Sequence, residues 1–165
     1  MLLEDFNRAD RDGALAILRP CVDVTRWCEH IVDRRPYCSV EELAAAAADA
    51  ADPFTSDEIT AALAHHPRIG ERAGGTSREA AMSRTEQSGL DPGDRAVQDA
   101  LAEGNLAYEQ RFGRVFLIRA AGRDAHEILS SLRERLRHDD ATEDRVVAEQ
   151  LREIALLRLR ATVTA

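Results

Sequence analysis

The sequence is poor in cysteine, in aromatic residues and in long apolar runs. Its 165 residues include three cysteines and no C-x-x-C pair, which argues against a disulfide framework and favours reduced thiols in a core. The acidic N-terminus MLLEDFNRADRDG has no uninterrupted apolar core, so it predicts neither a signal peptide nor a membrane anchor. The C-terminal RATVTA is not the S-K-L peroxisomal address. These absences predict a cytoplasmic protein.

An excess of positive charge is also missing. The formal net charge is −8 and the isoelectric point is about 5.1. Such a field repels a phosphate backbone, which argues against DNA or RNA as partners. An anionic small molecule remains compatible with the sequence if a few basic groups reverse the field locally.

The residues that are abundant favour helices. Charged residues make up 32% of the chain and aromatic residues 4%, and alanine, leucine, arginine and glutamate are enriched. No repeat or low-complexity linker divides the sequence, and its length suits one compact unit. We therefore predict an all-α protein, a single-domain bundle of about seven to eight helices that spans residues 1–165.

Capping residues and helical periodicity predict the helix boundaries. The capping-box pairs are Ser39 with Glu42 and Thr76 with Glu79. The segment RVFLIRAAG is composed like a strand but has no second strand to pair with, so we expect it to be extended or irregular. In the N-terminal half we predict a first helix near 13–20, a second capped by Asp23 and ended by Pro36, and a short one capped by Thr55 or Ser56 and ended at His66. Gly89 is predicted as the C-cap of the helix that Thr76 starts. A further helix is expected to start at Asp91 and Pro92 and to close at Gly113, and two last helices are expected over 123–137 and 142–161.

The string HHPRIG places two histidines at the predicted end of a helix. The pKa of histidine lies close to neutrality, which suits general acid–base work at the edge of a cleft. Alternatively, His65 and His66 merely finish a helix. Zinc binding is less favoured, because no HExxH string or Cys/His ligand set accompanies the pair.

The string SRTEQ places three polar side chains on one helix face, because Ser83, Glu86 and Gln87 are three and four residues apart. A hydroxyl, a carboxylate and an amide together could bind a planar, nitrogen-rich ring. Most strings of this kind are solvated helix surface, and that alternative stays open.

Several arginines could meet an anion. Arg158 follows Leu151 and Ile154 at helical spacing, which places its guanidinium in an apolar stripe. A buried charge needs an anion, either an internal carboxylate such as Glu86 or a ligand carboxylate, unless the side chain reaches solvent. Arg111, Arg119 and Arg123 lie around a predicted loop and helix start. The backbone of the FLIRA segment there could also face a ligand, or the segment could be a plain connector.

Taken in order, several strings resemble the 2-oxo-4-hydroxy-4-carboxy-5-ureidoimidazoline (OHCU) decarboxylase family over nearly the whole chain. They are RWCEHIVDRRPYCS, HHPRIGE, SRTEQSG, NLAYEQRFGRVFLIRAAGR, EILSSLRERL and EIALLRLR. The resemblance implies an all-helical homodimer that needs no metal or cofactor. It also implies a carboxy-lyase that converts OHCU to (S)-allantoin in urate and purine breakdown, after urate oxidation and hydroxyisourate hydrolysis.

The resemblance also assigns roles to residues. His66 matches the catalytic histidine, whereas His65 has no such match and should be dispensable. His138 stands where relatives commonly have asparagine, and we expect this departure to matter little. We assign Glu86 a catalytic role with His66, and the predicted substrate contacts are Pro67, Ser83, Arg84, Thr85, Glu86, Gln87, Phe116, Leu117, Ile118, Arg119, Ala120 and Arg158.

These assignments amount to one spatial hypothesis. His66, the acid and amide face around Glu86, and Arg158 are expected to converge on a single small cavity. Two alternatives remain: a non-enzymatic helical interaction module whose polar clusters are its wet exterior, and a relative that has drifted to another ureide or imidazolinone. Circular dichroism of the product of freshly made OHCU would separate all three.

Overall fold

A computed structural model describes residues 1–64, 68–70, 77–88 and 94–165. These residues contain nine helices and no strand, apart from one isolated bridge between Leu2 and Thr164. The all-α prediction is confirmed, with one helix more than expected. The chain divides into two compact units, the first comprising Met1–Ala62 and Leu151–Ala165 and the second Leu63–Gln150.

The first unit holds the N-terminal helices. Trp27 lies at its centre and donates its indole N–H to the carbonyl of Ala47 at 2.8 Å, which ties two helices together. Phe6, Leu18 and Ile31 of the same unit are also fully buried. The helices are α1 (Leu3–Arg8), α2 (Arg11–Leu18), α3 (Thr25–Asp33), α4 (Val40–Ala50) and α5 (Ser56–Leu63), of which only the last residue of α5 falls outside this unit.

Two predicted starts in this unit are wrong. The first helix is α1, which the sequence reading missed because only six residues form it. Asp23 does not cap α3: the N-cap is Val24, without a side-chain bond, and the Asp23 carboxylate instead accepts from Arg19 at 2.6 Å. The Asp23 carboxylate is therefore paired with a side chain four residues earlier and not with the first turn of α3.

The cap predicted at Ser39 is confirmed. Its hydroxyl accepts from the Glu42 N–H at 3.1 Å, while the Glu42 carboxylate reaches back one residue further, to the N–H of Cys38. Thr55 forms a reciprocal pair with Glu58, so it is the cap chosen from the two candidates for α5.

The three cysteines are reduced, as predicted, but they do not share one environment. Cys21 and Cys28 are buried, whereas Cys38 is exposed, so its predicted place in the core is wrong. Burial raises the pKa of the Cys28 thiol to about 12, which keeps that thiol protonated and unreactive at neutral pH.

The second unit contains α6 (Arg78–Glu86), α7 (Arg95–Phe112), α8 (Ala125–Arg135) and the first part of α9 (Asp140–Thr162). α6 is capped by Ser77, whose hydroxyl accepts from Ala80, rather than by Thr76. It ends with Gln87 as its C-cap rather than Gly89, and α7 starts behind Asp94 rather than at Asp91 and Pro92. Thr76, Gly89, Asp91 and Pro92 themselves lie outside the described residues.

The core of the second unit is formed largely by apolar residues at helical spacing. α7 contributes Val97, Leu101 and Tyr108, and α7 closes at Gly113, whose φ of 68° is left-handed. Residues 114–120 lie in no helix or strand, as predicted, and Phe116, Ile118 and Ala120 pack into the same core. The buried apolar residues of α8 are Ile128, Leu129 and Leu132, and Val147 is a buried residue of α9 in this unit. Leu151 and Ile154, further along α9, are buried in the first unit.

Within the described ranges, no helix is both long enough and apolar enough to span a membrane.

Candidate active site

The polar face predicted on α6 is present. Ser83 is only 3% exposed and Glu86 and Gln87 are half-buried, whereas Arg84 and Thr85 are exposed. The spacing of three and four residues therefore places Ser83, Glu86 and Gln87 on one edge, which we call the inward edge of α6. Arg84 and Thr85 lie on the opposite, exposed edge. Of the five predicted contacts on this helix, the three on the inward edge are the ones shielded from solvent.

A short segment, 68–70, is bound to this face and to α7. The Gly70 N–H donates to Oε1 of Gln87 at 3.0 Å, and Nδ2 of Asn105 donates to the carbonyl of Ile69 at 2.9 Å. Arg68 forms a two-pronged ion pair with Glu109, with N–O distances of 2.5 and 2.8 Å. This ion pair lowers the pKa of the Glu109 carboxyl. The segment that follows the HHP string in the sequence is thus anchored at three points.

Sequence reasoning missed Asn105 and Glu109. The sequence did contain a signal for Asn105, because its spacing from Leu101 and Tyr108 places it on the apolar stripe of α7. In the structure it is 4% exposed. An amide in an apolar stripe needs a polar partner. His65, His66 and Pro67 lie outside the described residues, so their predicted roles stay predictions.

The predicted contact segment 116–120 is largely buried. Phe116, Leu117, Ile118 and Ala120 are each at most 5% exposed, and Arg119 is half-buried. Two of its backbone groups are bonded by side chains: Nη1 of Arg135 donates to the Leu117 carbonyl at 2.7 Å, and the Arg119 N–H donates to Oε1 of Gln150 at 3.0 Å.

A charged cluster lies behind this segment, and we call it the Glu143 network: Tyr108, Arg135, His138 and Glu143. The Glu143 side chain is fully buried. Its Oε1 accepts from the Tyr108 hydroxyl and from Nε of Arg135 at 2.9 Å, and its Oε2 lies 2.9 Å from Nδ1 of His138. The guanidinium of Arg135 also lies over the ring of Phe116, 4.6 Å from its centroid.

The network shifts the pKa of its members. Burial raises the pKa of the Glu143 carboxyl, but hydrogen bonds from Arg135 and Tyr108 outweigh burial, so the pKa lies below its ordinary value. Burial, followed by the hydrogen bond to Glu143, raises the pKa of the Tyr108 hydroxyl to about 12. At neutral pH the network therefore holds a carboxylate, a guanidinium and a neutral phenol.

Arg158 is buried, as its place in the apolar stripe predicted. It is 2% exposed, and its Nη1 lies 3.4 Å from the carbonyl of Cys21, within the first unit. The alternative in which this side chain reaches solvent is therefore wrong. The expected convergence of Arg158 with His66 and Glu86 stays a prediction.

In the described part of the chain, no three His, Cys, Asp or Glu side chains are grouped so that they could hold a metal ion.

Comparison with known proteins identifies the class to which this fold and polar site belong. The model of the OHCU decarboxylase family matches residues 7–160. The chain therefore belongs to the OHCU decarboxylase family. As a member of it, the chain is a carboxy-lyase that decarboxylates OHCU to allantoin in urate degradation.

Curated relatives agree with this assignment. The chain is 27% identical to the OHCU decarboxylase of Haloferax volcanii, over 96% of this chain and 94% of the relative. It is 31% identical to that of Amia calva, over 76% and 73%. It also matches 32% of the uric acid degradation bifunctional protein of a Bacillus species, with 25% identity over 97% of this chain.

Solved structures share the fold. An OHCU decarboxylase crystallised in the presence of (S)-allantoin aligns with a TM-score of 0.68, at 23% identity over 86% of this chain and 92% of that chain. An (S)-allantoin synthase aligns with a TM-score of 0.72, at 18% identity over 99% of this chain and 54% of that chain.

Proposed function

We propose that the chain decarboxylates OHCU at a site formed by His66, Pro67, the inward edge of α6, the 116–120 segment and Arg158, and that it releases (S)-allantoin. His66 and Glu86 act on the reacting atoms. The observation that carries the proposal is the shielded edge of α6: a hydroxyl, a carboxylate and an amide side by side, with the amide bonded to the segment that follows HHP.

The substrate's own chemistry explains why so few groups suffice. The bond between the ring carbon and the carboxylate breaks, carbon dioxide leaves, and the electron pair moves toward the adjacent carbon–nitrogen double bond. The nitrogen of that double bond takes up a proton, the hydroxyl loses its proton as its carbon becomes a carbonyl, and a second proton is added at the carbon that carries the ureido group. Because the ring accepts the electrons, the reaction needs no metal or cofactor.

The protein's task is then to orient the ring and to control the proton. His66 has a side chain suited to proton transfer near neutral pH. Glu86 accepts from the substrate hydroxyl, while Ser83 and Gln87 bond polar edges of the ring and the backbone of 116–120 bonds the ureido group. Arg158 orients Glu86 or meets the substrate carboxylate, and Arg84 and Thr85 complete the predicted contacts from the same turn.

The decisive experiment follows freshly prepared OHCU by circular dichroism with and without the protein. Spontaneous decay gives racemic allantoin, whereas proton delivery from one side gives one enantiomer. We expect faster loss of OHCU and an excess of (S)-allantoin. A racemic product at the spontaneous rate would contradict the proposal.

Glu86→Gln tests whether the carboxylate's charge is required. Glutamine keeps an acceptor oxygen but cannot take a proton or carry charge, so we expect kcat to fall by roughly tenfold to a hundredfold. Glu79→Gln, which removes the same charge from the first turn of α6 outside the predicted contacts, controls for the altered charge of the helix. Wild-type turnover in Glu86→Gln would remove any proton or charge role from Glu86.

The chain is further proposed to act as one domain, as a homodimer and in the cytoplasm. The family match runs from residue 7 to residue 160 and thus includes parts of both units, which supports one functional domain. Three free thiols suit a reducing compartment. The dimer is supported by the family resemblance, and sedimentation equilibrium would contradict it if the only species had the 18.2 kDa mass of one chain.

A further inference from the structure

We propose that Arg135, held by Glu143 and Tyr108, is a positioning residue that fixes the 116–120 segment in the shape that binds OHCU. The inference rests on the proposed function, in which this segment contacts the substrate. None of these three side chains was among the predicted site residues.

The contacts of Arg135 run in two directions. Toward the segment, its Nη1 donates to the Leu117 carbonyl at 2.7 Å and its guanidinium lies over the Phe116 ring. Away from the segment, its Nε donates to Glu143 at 2.9 Å. Because a guanidinium is planar and its donors have a fixed geometry, anchoring one side of it on a carboxylate also fixes the other side.

The two backbone groups that side chains bond lie on either side of Ile118. Arg135 bonds the carbonyl of Leu117, and Gln150 bonds the N–H of Arg119 from α9. Ile118 lies between them, is 4% exposed, and its N–H and carbonyl have no partner within the described ranges. Buried backbone groups are nearly always paired. Arg135 and Gln150 thus hold both neighbours of a residue whose own N–H and carbonyl have no partner in the described part of the chain.

A contribution to stability alone does not explain why charged residues occupy these buried positions. Arg135 is 5% exposed and Glu143 is fully buried. Removing two charges from water costs free energy that their attraction often fails to recover, and apolar side chains of similar volume often give an equal or higher stability at such positions. A backbone carbonyl, however, can be held only by a donor, and Arg135 provides one.

The test compares Arg135→Met with Arg135→Lys in the full chain. Methionine fills much of the space without a donor, whereas lysine keeps a charge and can bond either Leu117 or Glu143. We expect Arg135→Met to raise the KM for OHCU roughly tenfold, with a smaller change in kcat, and Arg135→Lys to recover part of that loss. Amide hydrogen exchange of residues 116–120 should be faster in Arg135→Met.

Leu43→Ala is the matched control, because Leu43 is fully buried in α4 of the first unit, whereas Arg135, its partners and the 116–120 segment belong to the second. It lowers stability without altering the 116–120 segment. A smaller folded fraction reduces the apparent kcat and leaves KM unchanged, so a rise in KM separates positioning from simple destabilisation. If Arg135→Met does not fold, the triple variant Tyr108→Phe, Arg135→Met and Glu143→Leu replaces it, because it removes the donor to Leu117 without leaving an unpaired buried charge.

Each result has one meaning. A raised KM with faster exchange at 116–120 supports the proposal. Unchanged KM with unchanged exchange overturns it and leaves the proposed site intact. Faster exchange with unchanged KM also overturns it, and shows that the segment does not bind substrate. If the wild-type protein does not turn over OHCU, the proposed function itself fails.

Discussion

Replacing His66 with alanine is expected to reduce kcat for OHCU by at least about a hundredfold. A positioned general acid or base contributes about 10²–10⁴ in rate, and no other side chain of the proposed site has an ordinary pKa near neutrality. The measurement is the initial rate of OHCU loss after subtraction of the spontaneous rate, with the enantiomeric excess of allantoin read by circular dichroism.

His65→Ala is the matched control for this experiment. It removes the same side chain from the neighbouring position, and the family resemblance gives His65 no part in catalysis. We expect His65→Ala to retain activity within about twofold. A folded His66→Ala protein with near-normal turnover, or an equal loss in both variants, would contradict the assignment of His66.

Much of the fold could be predicted because helix signals are local. The cap at Ser39 and the left-handed glycine at Gly113 each depend on a few adjacent residues, and both were located correctly. The errors occurred where two suitable caps lie close together, as with Thr76 and Ser77. A local pattern cannot rank such neighbours, since the choice depends on how the helix packs.

The inward edge of α6 could also be predicted, because spacing alone places Ser83, Glu86 and Gln87 together. The Glu143 network could not. Tyr108 and Arg135 are 27 residues apart and belong to different helices, and Glu143 comes eight residues later on a third. No periodicity links them, so only the packed structure reveals that they meet behind the 116–120 segment.

His138 illustrates the same limit. As a departure from the family pattern it was expected to matter little, yet its Nδ1 lies 2.9 Å from Glu143. The ring is half-buried just beyond α8 and contacts Oε2 of Glu143, whereas Arg135 contacts Oε1. His138 is not among the proposed substrate contacts, but it belongs to the Glu143 network, which bonds the 116–120 segment.

Glu143→Ala is expected to destabilise the protein by about 3–5 kcal/mol, the usual cost of removing one partner from a buried ion pair. The change leaves the Arg135 charge buried without its carboxylate and removes the acceptor of Tyr108. Urea unfolding at neutral pH measures the loss. Because the folded pKa of Glu143 is lowered, its contribution is complete above the ordinary value of about 4.3 and is lost as the pH falls through the folded pKa.

Asp33→Ala provides the comparison, because Asp33 pairs with Arg11 on the exposed surface. We expect it to cost at most about 1 kcal/mol. A loss for Glu143→Ala no larger than that would contradict the buried-pair argument.

The triple variant Tyr108→Phe, Arg135→Met and Glu143→Leu then separates stability from function. Well-packed apolar replacements of a buried ion pair are often neutral or stabilising by about 1–4 kcal/mol. We expect the triple variant to unfold at a urea concentration much closer to that of the wild type than Glu143→Ala does, yet to bind OHCU as weakly as Arg135→Met. That combination would mean that the buried charges are needed to position the 116–120 segment for substrate binding and not for stability. Recovery of both stability and KM would mean that they do not.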